Sequence, residues 1–188
     1  MARIELWNGD ICDLEVDAIV NAANLSLWMS TGVSGEIKRA GGDEIEFAAV
    51  RQAPVPLGDA VVTPAGTLAA RVIIHAVSLD RDRRTSAEVI DRAVRSAFAR
   101  ARELRLRSIA FPAMGTGVGG FPLDEAARVT VAAVRDELPQ SPHIEDVILA
   151  MRGAAAYQAF EAALGTAAPV EEPVERGVSG GPGPAMAR

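Results

Sequence analysis

Glycine dominates residues 115–120, which read Gly-Thr-Gly-Val-Gly-Gly. The segment directly follows an apolar run at 108–112 that predicts a short strand, and it precedes a predicted helix. Consecutive unhindered backbone amides in such a loop can form a concave anion site. The glycine spacing also matches the G-x-G-x-x-G fingerprint, but the acidic residue expected about 20 positions later falls inside a predicted helix. The loop therefore indicates phosphate binding and argues against dinucleotide binding of the Rossmann type.

A second glycine-bearing loop precedes the helix predicted to begin near Gly32 or Val33. The first backbone N–H groups of a helix have no intrahelical acceptor, and the helix dipole favours an anion beside them. The same residues are also typical of an ordinary helix start, with Ser30 or Thr31 as its cap. The sequence leaves both interpretations open.

Polar side chains occur where predicted strands end. Asn21 and Asn24 flank two alanines after a buried strand at 17–21. An asparagine amide both donates and accepts, which suits sugar hydroxyls or a catalytic water, and small alanines allow a ligand to approach the backbone. Asp10 follows the first predicted strand; its carboxylate can accept from an amino group such as that of adenine, or cap an amide of its own turn.

The other residues with reactive side chains favour structural roles. His75 lies in the apolar run Val-Ile-Ile-His-Ala-Val, which is typical of a buried strand, and His143 lies in a loop after a proline. Cys12 is the single cysteine and has no histidine near it in sequence. A disulfide framework is excluded, and the sequence predicts neither a metal site nor a cofactor.

Composition bounds the class of protein. The chain has 188 residues, 49% of them hydrophobic, and a net charge of −6, which fits one domain with a sizeable core. The acidic balance argues against an extended nucleic-acid partner, which needs clustered Lys and Arg, but not against one small anion held by amides. No apolar run approaches the roughly 20 residues of a membrane span, and the first residues lack a signal-peptide core. We expect a cytoplasmic protein.

Strand-like and helix-like patterns alternate along most of the chain. Strands are predicted at residues 3–7, 17–21, 60–63, 72–77, 108–112 and 147–151. Helices are predicted from Gly32 to 41, at 43–51, behind a capping box of Thr85 and Glu88, from Pro122 to just before Pro139, and at 154–164. This alternation favours an α/β fold with helices on both faces of a sheet. Residues 166–188 are rich in Pro, Gly and charge, so we expect one domain over residues 1–165 followed by a flexible tail.

Six segments in this order resemble the macrodomain family: NGDI, VDAIVNAAN, GVSGEIKRAGG, GDAVVTPAG, VIIHAV and IAFPAMGTGVGGFP. The resemblance runs from Ile4 to Leu164. It implies a three-layer α/β/α sandwich with a mixed sheet of about six strands, and ADP-ribose as the ligand in a cleft at the strand ends.

The resemblance also implies roles for particular residues. Asp10 would take the adenine amino group and Asn24 would lie at the ribose next to the modified group. The ligand-binding residues that it implies are Asp10, Ile11, Ala22, Asn24, Thr31, Gly32, Val33, Ser34, Gly115, Thr116, Gly117, Val118, Gly119, Phe121, Met151 and Arg152.

The chain departs from the family pattern at three places. Hydrolytic members carry an aspartate ten residues after that asparagine, and here the position is Ser34, which cannot act as a carboxylate base. The first loop reads Met-Ser-Thr-Gly at 29–32 instead of a run of glycines. The second loop lacks the usual aromatic after its valine; Gly119 takes that place and Phe121 follows two positions later.

The resemblance, taken with these departures, implies a module that binds ADP-ribose or ADP-ribosylated protein. The alternative is an enzyme that removes ADP-ribosyl groups or deacetylates O-acetyl-ADP-ribose, with Asn24 and Ser34 at its catalytic positions and the ligand's own diphosphate supplying negative charge. A third possibility is a binder of other nucleotides or of RNA ends.

Overall fold

The computed structural model describes residues 2–165. The strands are β1 (Arg3–Asn8), β2 (Ala18–Asn24), β3 (Ala60–Pro64), β4 (Val72–Leu79), β5 (Ser108–Phe111) and β6 (Asp146–Met151). The helices are α1 (Gly32–Gly41), α2 (Asp43–Val50), α3 (Ala87–Glu103), α4 (Leu123–Glu137) and α5 (Ala154–Gly165). The expected tail at 166–188 lies outside the described residues. Within residues 2–165 no helix is long and apolar enough to cross a membrane.

The strands form one mixed sheet in the order β1-β6-β5-β2-β4-β3. Only β3 runs antiparallel to its neighbour; all other pairs are parallel. The carboxyl ends of β1, β2, β4, β5 and β6 therefore share one edge of the sheet, and the loops that follow them lie together.

Helices cover both faces of the sheet. One core packs α3, α4 and α5 against alternate residues of β2, β4, β5 and β6, and a second packs α1 and α2 against the opposite face. The predicted three-layer α/β/α sandwich with a six-stranded mixed sheet is confirmed. In the first core the rings of Phe98 and Phe111 stack with their centroids 5.6 Å apart.

Asp17 links the amino ends of three strands, β2, β4 and β5, at the edge of the sheet opposite the carboxyl ends. Its carboxylate accepts from the backbone N–H of Arg107 at 2.6 Å and from the guanidinium of Arg71 at 3.2 Å, and its own N–H donates to Ser108 Oγ at 2.8 Å. Burial raises the pKa of the Asp17 carboxyl, but these hydrogen bonds outweigh it and hold the pKa below its ordinary value. The amino ends of β2, β4 and β5 are thereby tied together away from the site described below.

Two predicted helix starts are wrong by one residue. Ser86, not Thr85, caps α3: its hydroxyl accepts from the N–H of Val89. Pro122 precedes α4 as its cap because its ψ of 129° is not helical. Strand β2 is longer than predicted and extends through Asn24, so Asn21 lies inside the strand and only Asn24 lies at its end.

Candidate functional site

A cleft of about 260 Å³ opens at the carboxyl ends of the parallel strands. In open α/β sheets this is the edge at which ligands bind. The lining residues come from the ends of β2, β4, β5 and β6 and the starts of α1 and α5: Ala22, Asn24, Trp28, Ser30, Thr31, Gly32, Val33, Ser34, Leu79, Arg83, Pro112, Ala113, Gly115, Thr116, Gly117, Val118, Gly119, Ala150, Arg152 and Ala156.

The loop after β5 presents free backbone amides along one wall. Within residues 2–165, the N–H groups of Thr116, Gly117 and Val118 have no hydrogen-bond acceptor. The N–H groups of Gly120 and Phe121 close the turn by donating to the carbonyl oxygens of Gly117 and Gly115. A side chain at Gly115 would meet Thr85 at 2.7 Å, and one at Gly119 would meet a carbonyl oxygen at 2.5 Å. Nothing lies within 4 Å of a side-chain carbon placed at Gly117. The outer glycines permit the fold of the loop, and the middle one leaves space.

The start of α1 forms the facing wall. Thr31 occupies the capping position, but its side chain makes no capping hydrogen bond, and Gly32 has a φ of +60°. The first N–H groups of α1 therefore lack a side-chain partner, and the dipole of the helix is directed at the cleft. A helix start capped by a side chain, one of the two interpretations that the sequence left open, is therefore not observed, and these N–H groups remain available to an anion.

A partly buried ion pair supports the loop that leads into α1. The Met29 side chain is buried in the core beneath the loop, and the Met29 N–H donates to Glu46 Oε2 at 2.7 Å. Lys38 Nζ donates to Glu46 Oε1, also at 2.7 Å. Burial raises the pKa of Glu46, but the hydrogen bonds from Lys38 and Met29 outweigh it, so the net pKa is lowered. Methionine at this position serves packing and does not obstruct the cleft.

Asn24 has little hydrogen-bonding capacity left. Its Oδ1 accepts from the N–H and the hydroxyl of Ser26, at 3.1 and 2.8 Å, and its Nδ2 donates to the Trp28 carbonyl oxygen at 3.1 Å. One amide hydrogen remains for a ligand. Asn24 can therefore donate to a ribose oxygen, but it is poorly placed to accept from a water.

Ser34 lies in the first turn of α1 and is almost completely buried. Its hydroxyl donates to Asn21 Oδ1 at 2.8 Å, with the Ala22 carbonyl oxygen a longer contact at 3.4 Å. Asn21 itself is buried beneath the cleft and does not line it. His75 also lies in the interior, between Asn21 and Thr63, as its apolar strand indicated.

Four predicted residues do not line the cleft. Asp10 caps the short turn after β1, where its Oδ1 accepts from the Cys12 N–H at 2.9 Å, and Ile11 is buried in the second core. Met151 is fully buried because alternate residues of β6 face opposite sides of the sheet, which leaves Ala150 and Arg152 at the cleft. Phe121 is half-buried and packs on the first core.

Other cleft residues were not predicted. Trp28 is 55% exposed in the loop before α1, Leu79 is the last residue of β4, and Arg83 lies in the loop that follows it. The β4 residues could have been inferred, since parallel strands end at a common edge; the predicted strand simply ended two residues early. Arg152, which lines the cleft, is ion-paired with Glu36 of α1.

A second, more open cavity of about 410 Å³ adjoins the cleft. Both cavities share Asn24, Trp28, Ser30 and Arg83. The second extends past Asn24 toward solvent, so a ligand in the cleft could continue into it.

The model of the Macro domain matches residues 20–130, which includes both loops of the cleft. The chain belongs to the macrodomain family. A Trypanosoma brucei macrodomain solved in complex with ADP-ribose is 29% identical, with a TM-score of 0.80 over 86% of this chain and 69% of that one. The same protein solved in complex with ADP has a TM-score of 0.81.

Several relatives of this macrodomain are more similar in sequence. An uncharacterised protein of Pyrobaculum aerophilum is 43% identical over 84% of this chain and 88% of its own length. An O-acetyl-ADP-ribose deacetylase of Salmonella gallinarum is 43% identical over 72% of this chain and 79% of its own. An uncharacterised protein of Mycobacterium tuberculosis is 46% identical over 87% of this chain, which spans only 45% of that relative.

Proposed function

We propose that this macrodomain binds ADP-ribose, or an ADP-ribosyl group on a protein, in the cleft at the strand ends. The observation that carries the proposal is the pair of facing walls with unpaired amides: the loop after β5 and the first turn of α1. Amides and a helix dipole suit a diphosphate without requiring positive side chains, which fits a chain of net charge −6. The complex of the Trypanosoma brucei relative with ADP-ribose supports the choice of ligand.

In this proposal the diphosphate lies between Gly32 and Gly117, and the distal ribose receives the remaining amide hydrogen of Asn24. The adenine lies toward Arg152, with Asp10 and Ile11 at the far end of that side. A protein attached to the distal ribose extends into the adjoining cavity past Trp28. We assign the domain to residues 1–165, and a chain ending at 165 should keep its affinity.

Calorimetry with ADP-ribose, AMP and NAD tests the proposal. Gly117→Glu should abolish binding without unfolding the protein, because the position is open and a carboxylate there repels the diphosphate. Gly165→Glu, at the distant end of α5 and equally unhindered, adds the same charge as a matched control. Equal affinity of both variants for ADP-ribose, or no binding by the wild type at millimolar ligand, would refute the proposal.

Deacetylation of O-acetyl-ADP-ribose is the second candidate, because one relative at 43% identity bears that name. Within the described residues no Asp or Glu lines the cleft, and the hydroxyl hydrogen of Ser34 is engaged inside the protein. Among the described residues the cleft lining thus offers no carboxylate or imidazole base, and any turnover would depend on the ligand's own diphosphate. Release of acetate by the wild type and by Ser34→Asp measures this: turnover in the wild type supports an enzyme, and turnover gained only in the variant identifies the missing carboxylate as limiting.

A further inference from the structure

Four polar side chains form a continuous buried chain beneath the cleft. Ser34 Oγ donates to Asn21 Oδ1 at 2.8 Å, Asn21 Nδ2 lies 3.0 Å from His75 Nδ1, and His75 Nε2 lies 2.8 Å from Thr63 Oγ1. None of the four residues is more than 7% exposed. They come from α1, β2, β4 and β3, so the chain crosses half of the sheet and ends at the cleft wall. The binding function proposed above leaves this chain without a role.

The hydrogen bonds that join these four side chains have a defined donor-to-acceptor direction. The Asn21 Oδ1 accepts from the Ser34 hydroxyl, so Asn21 has only its NH₂ group to donate to His75 Nδ1, and this ring nitrogen must carry no hydrogen. His75 carries its ring hydrogen on Nε2 and donates it to Thr63. Burial lowers the pKa of His75 to about 4, so the ring is neutral near pH 7 and has one hydrogen.

We propose that the chain of Thr63, His75, Asn21 and Ser34 sets the hydrogen-bonding character of the cleft wall at position 34, so that the Ser34 hydroxyl meets a ligand only as an acceptor. Given the proposed binding of ADP-ribose, a free ribose hydroxyl can donate to Ser34, whereas an acetylated hydroxyl has no hydrogen to give. The site would therefore discriminate against esters of the ligand at this point. His75 and Asn21 act as positioning residues, since neither lines the cleft.

A carboxylate at position 34 should exchange the donor and the acceptor in every hydrogen bond that joins these four side chains. An ionised Asp accepts only, and the amino end of α1 favours its ionisation. Asn21 would then turn its NH₂ group toward position 34 and its oxygen toward His75. The ring would carry its hydrogen on Nδ1, and its Nε2 would accept from the Thr63 hydroxyl. One substitution at the cleft would thus move a hydrogen across an imidazole ring two side chains away.

Nitrogen NMR of the histidine side chains tests this direction at pH 7.5 without ligand. The chain has two histidines, and the exposed His143 serves as the internal reference, assigned by a His143→Gln variant. We expect the Nε2–H form of His75 in the wild type and the Nδ1–H form in Ser34→Asp, with His143 unchanged. An Nδ1–H form in the wild type would overturn the proposal even if the variant failed to fold, as would an unchanged ring in a folded variant.

Calorimetry with ADP-ribose and O-acetyl-ADP-ribose tests the discrimination. We expect the wild type to prefer the free hydroxyl by roughly tenfold, the range of one hydrogen bond, and Ser34→Ala to bring the ratio close to one. Equal affinities in the wild type would refute the specificity. Failure of both ligands to bind would refute the proposed function instead. The direction of the hydrogen bonds would still be tested, because the NMR measurement on His75 is made without ligand.

Discussion

Replacing Glu46 with alanine should destabilise the fold through the loop before α1. The substitution removes the acceptor of the buried Met29 N–H and the partner of Lys38. A buried amide that loses a charged acceptor costs about 2 kcal/mol, and the Lys38 side chain, 31% exposed, can turn to water and adds little. For a domain of this size, that cost lowers the melting temperature by about 4–8 °C.

Glu46→Gln is the matched control, because its amide oxygen can still accept from Met29. It should retain more than half of the stability that the alanine variant loses in urea unfolding at pH 7. The pKa of Glu46 is lowered by its hydrogen bonds in the folded protein. Its charge therefore stabilises the fold above the ordinary pKa of a glutamate, and this contribution is lost as the pH falls through the folded value.

The difference between wild type and Glu46→Gln should accordingly be largest near neutral pH and shrink in acid. Two results would refute this reasoning: a loss below about 0.5 kcal/mol in Glu46→Ala, the size expected of an ordinary surface substitution, or a difference between wild type and Glu46→Gln that does not change with pH.

Three further predictions concern the core, the loop and the cysteine. Phe98→Ala should cost about 3–5 kcal/mol in urea unfolding, because it empties a fully buried site stacked on Phe111; a loss under 1 kcal/mol would contradict this packing. Gly115→Ala should cost about 1–3 kcal/mol, since φ is +77° and the methyl group meets a neighbour at 2.7 Å, whereas Gly117→Ala should be neutral; equal melting temperatures would count against the loop geometry. Burial, reinforced by the charge of Asp10, raises the pKa of Cys12 to about 12. At pH 8, Ellman's reagent should therefore react with Cys12 of the folded protein at least about a hundredfold more slowly than with glutathione, and at an ordinary rate once guanidinium unfolds the protein. Fast labelling of the folded protein would refute this.

The fold was largely predictable because its signals are local. The alternation of β-branched runs with helical periods yields the element order directly, and each predicted strand and helix is present within a few residues. The errors lie at boundaries, where adjacent residues compete: Thr85 and Ser86 are both good caps, and only the observed geometry selects Ser86. Such a choice depends on packing that the sequence does not encode locally.

The cleft was predictable in outline but not in its hydrogen bonding. Glycine density indicated the loop after β5, and a predicted helix start indicated the wall at α1. Met151 was misplaced because its side chain points to the other face of the sheet, and the capacity of Asn24 was overestimated because its own turn uses most of it. The link from Ser34 to His75 spans residues far apart in sequence and joins ordinary polar types. No spacing rule could have suggested it, since it arises from the pairing of β2 with β4.

The hydrogen bonds of Asp17 stabilise the end of the sheet away from the cleft, so the two ends should differ in how well they tolerate substitution. At one end, side-chain hydrogen bonds hold β2, β4 and β5 together independently of the loops at the other. Randomising Trp28, Leu79 and Arg83 should therefore leave most library members folded. This macrodomain is therefore a scaffold in which ligand preference can be evolved by substitutions at the cleft, while the hydrogen bonds at the opposite end of the sheet maintain the fold.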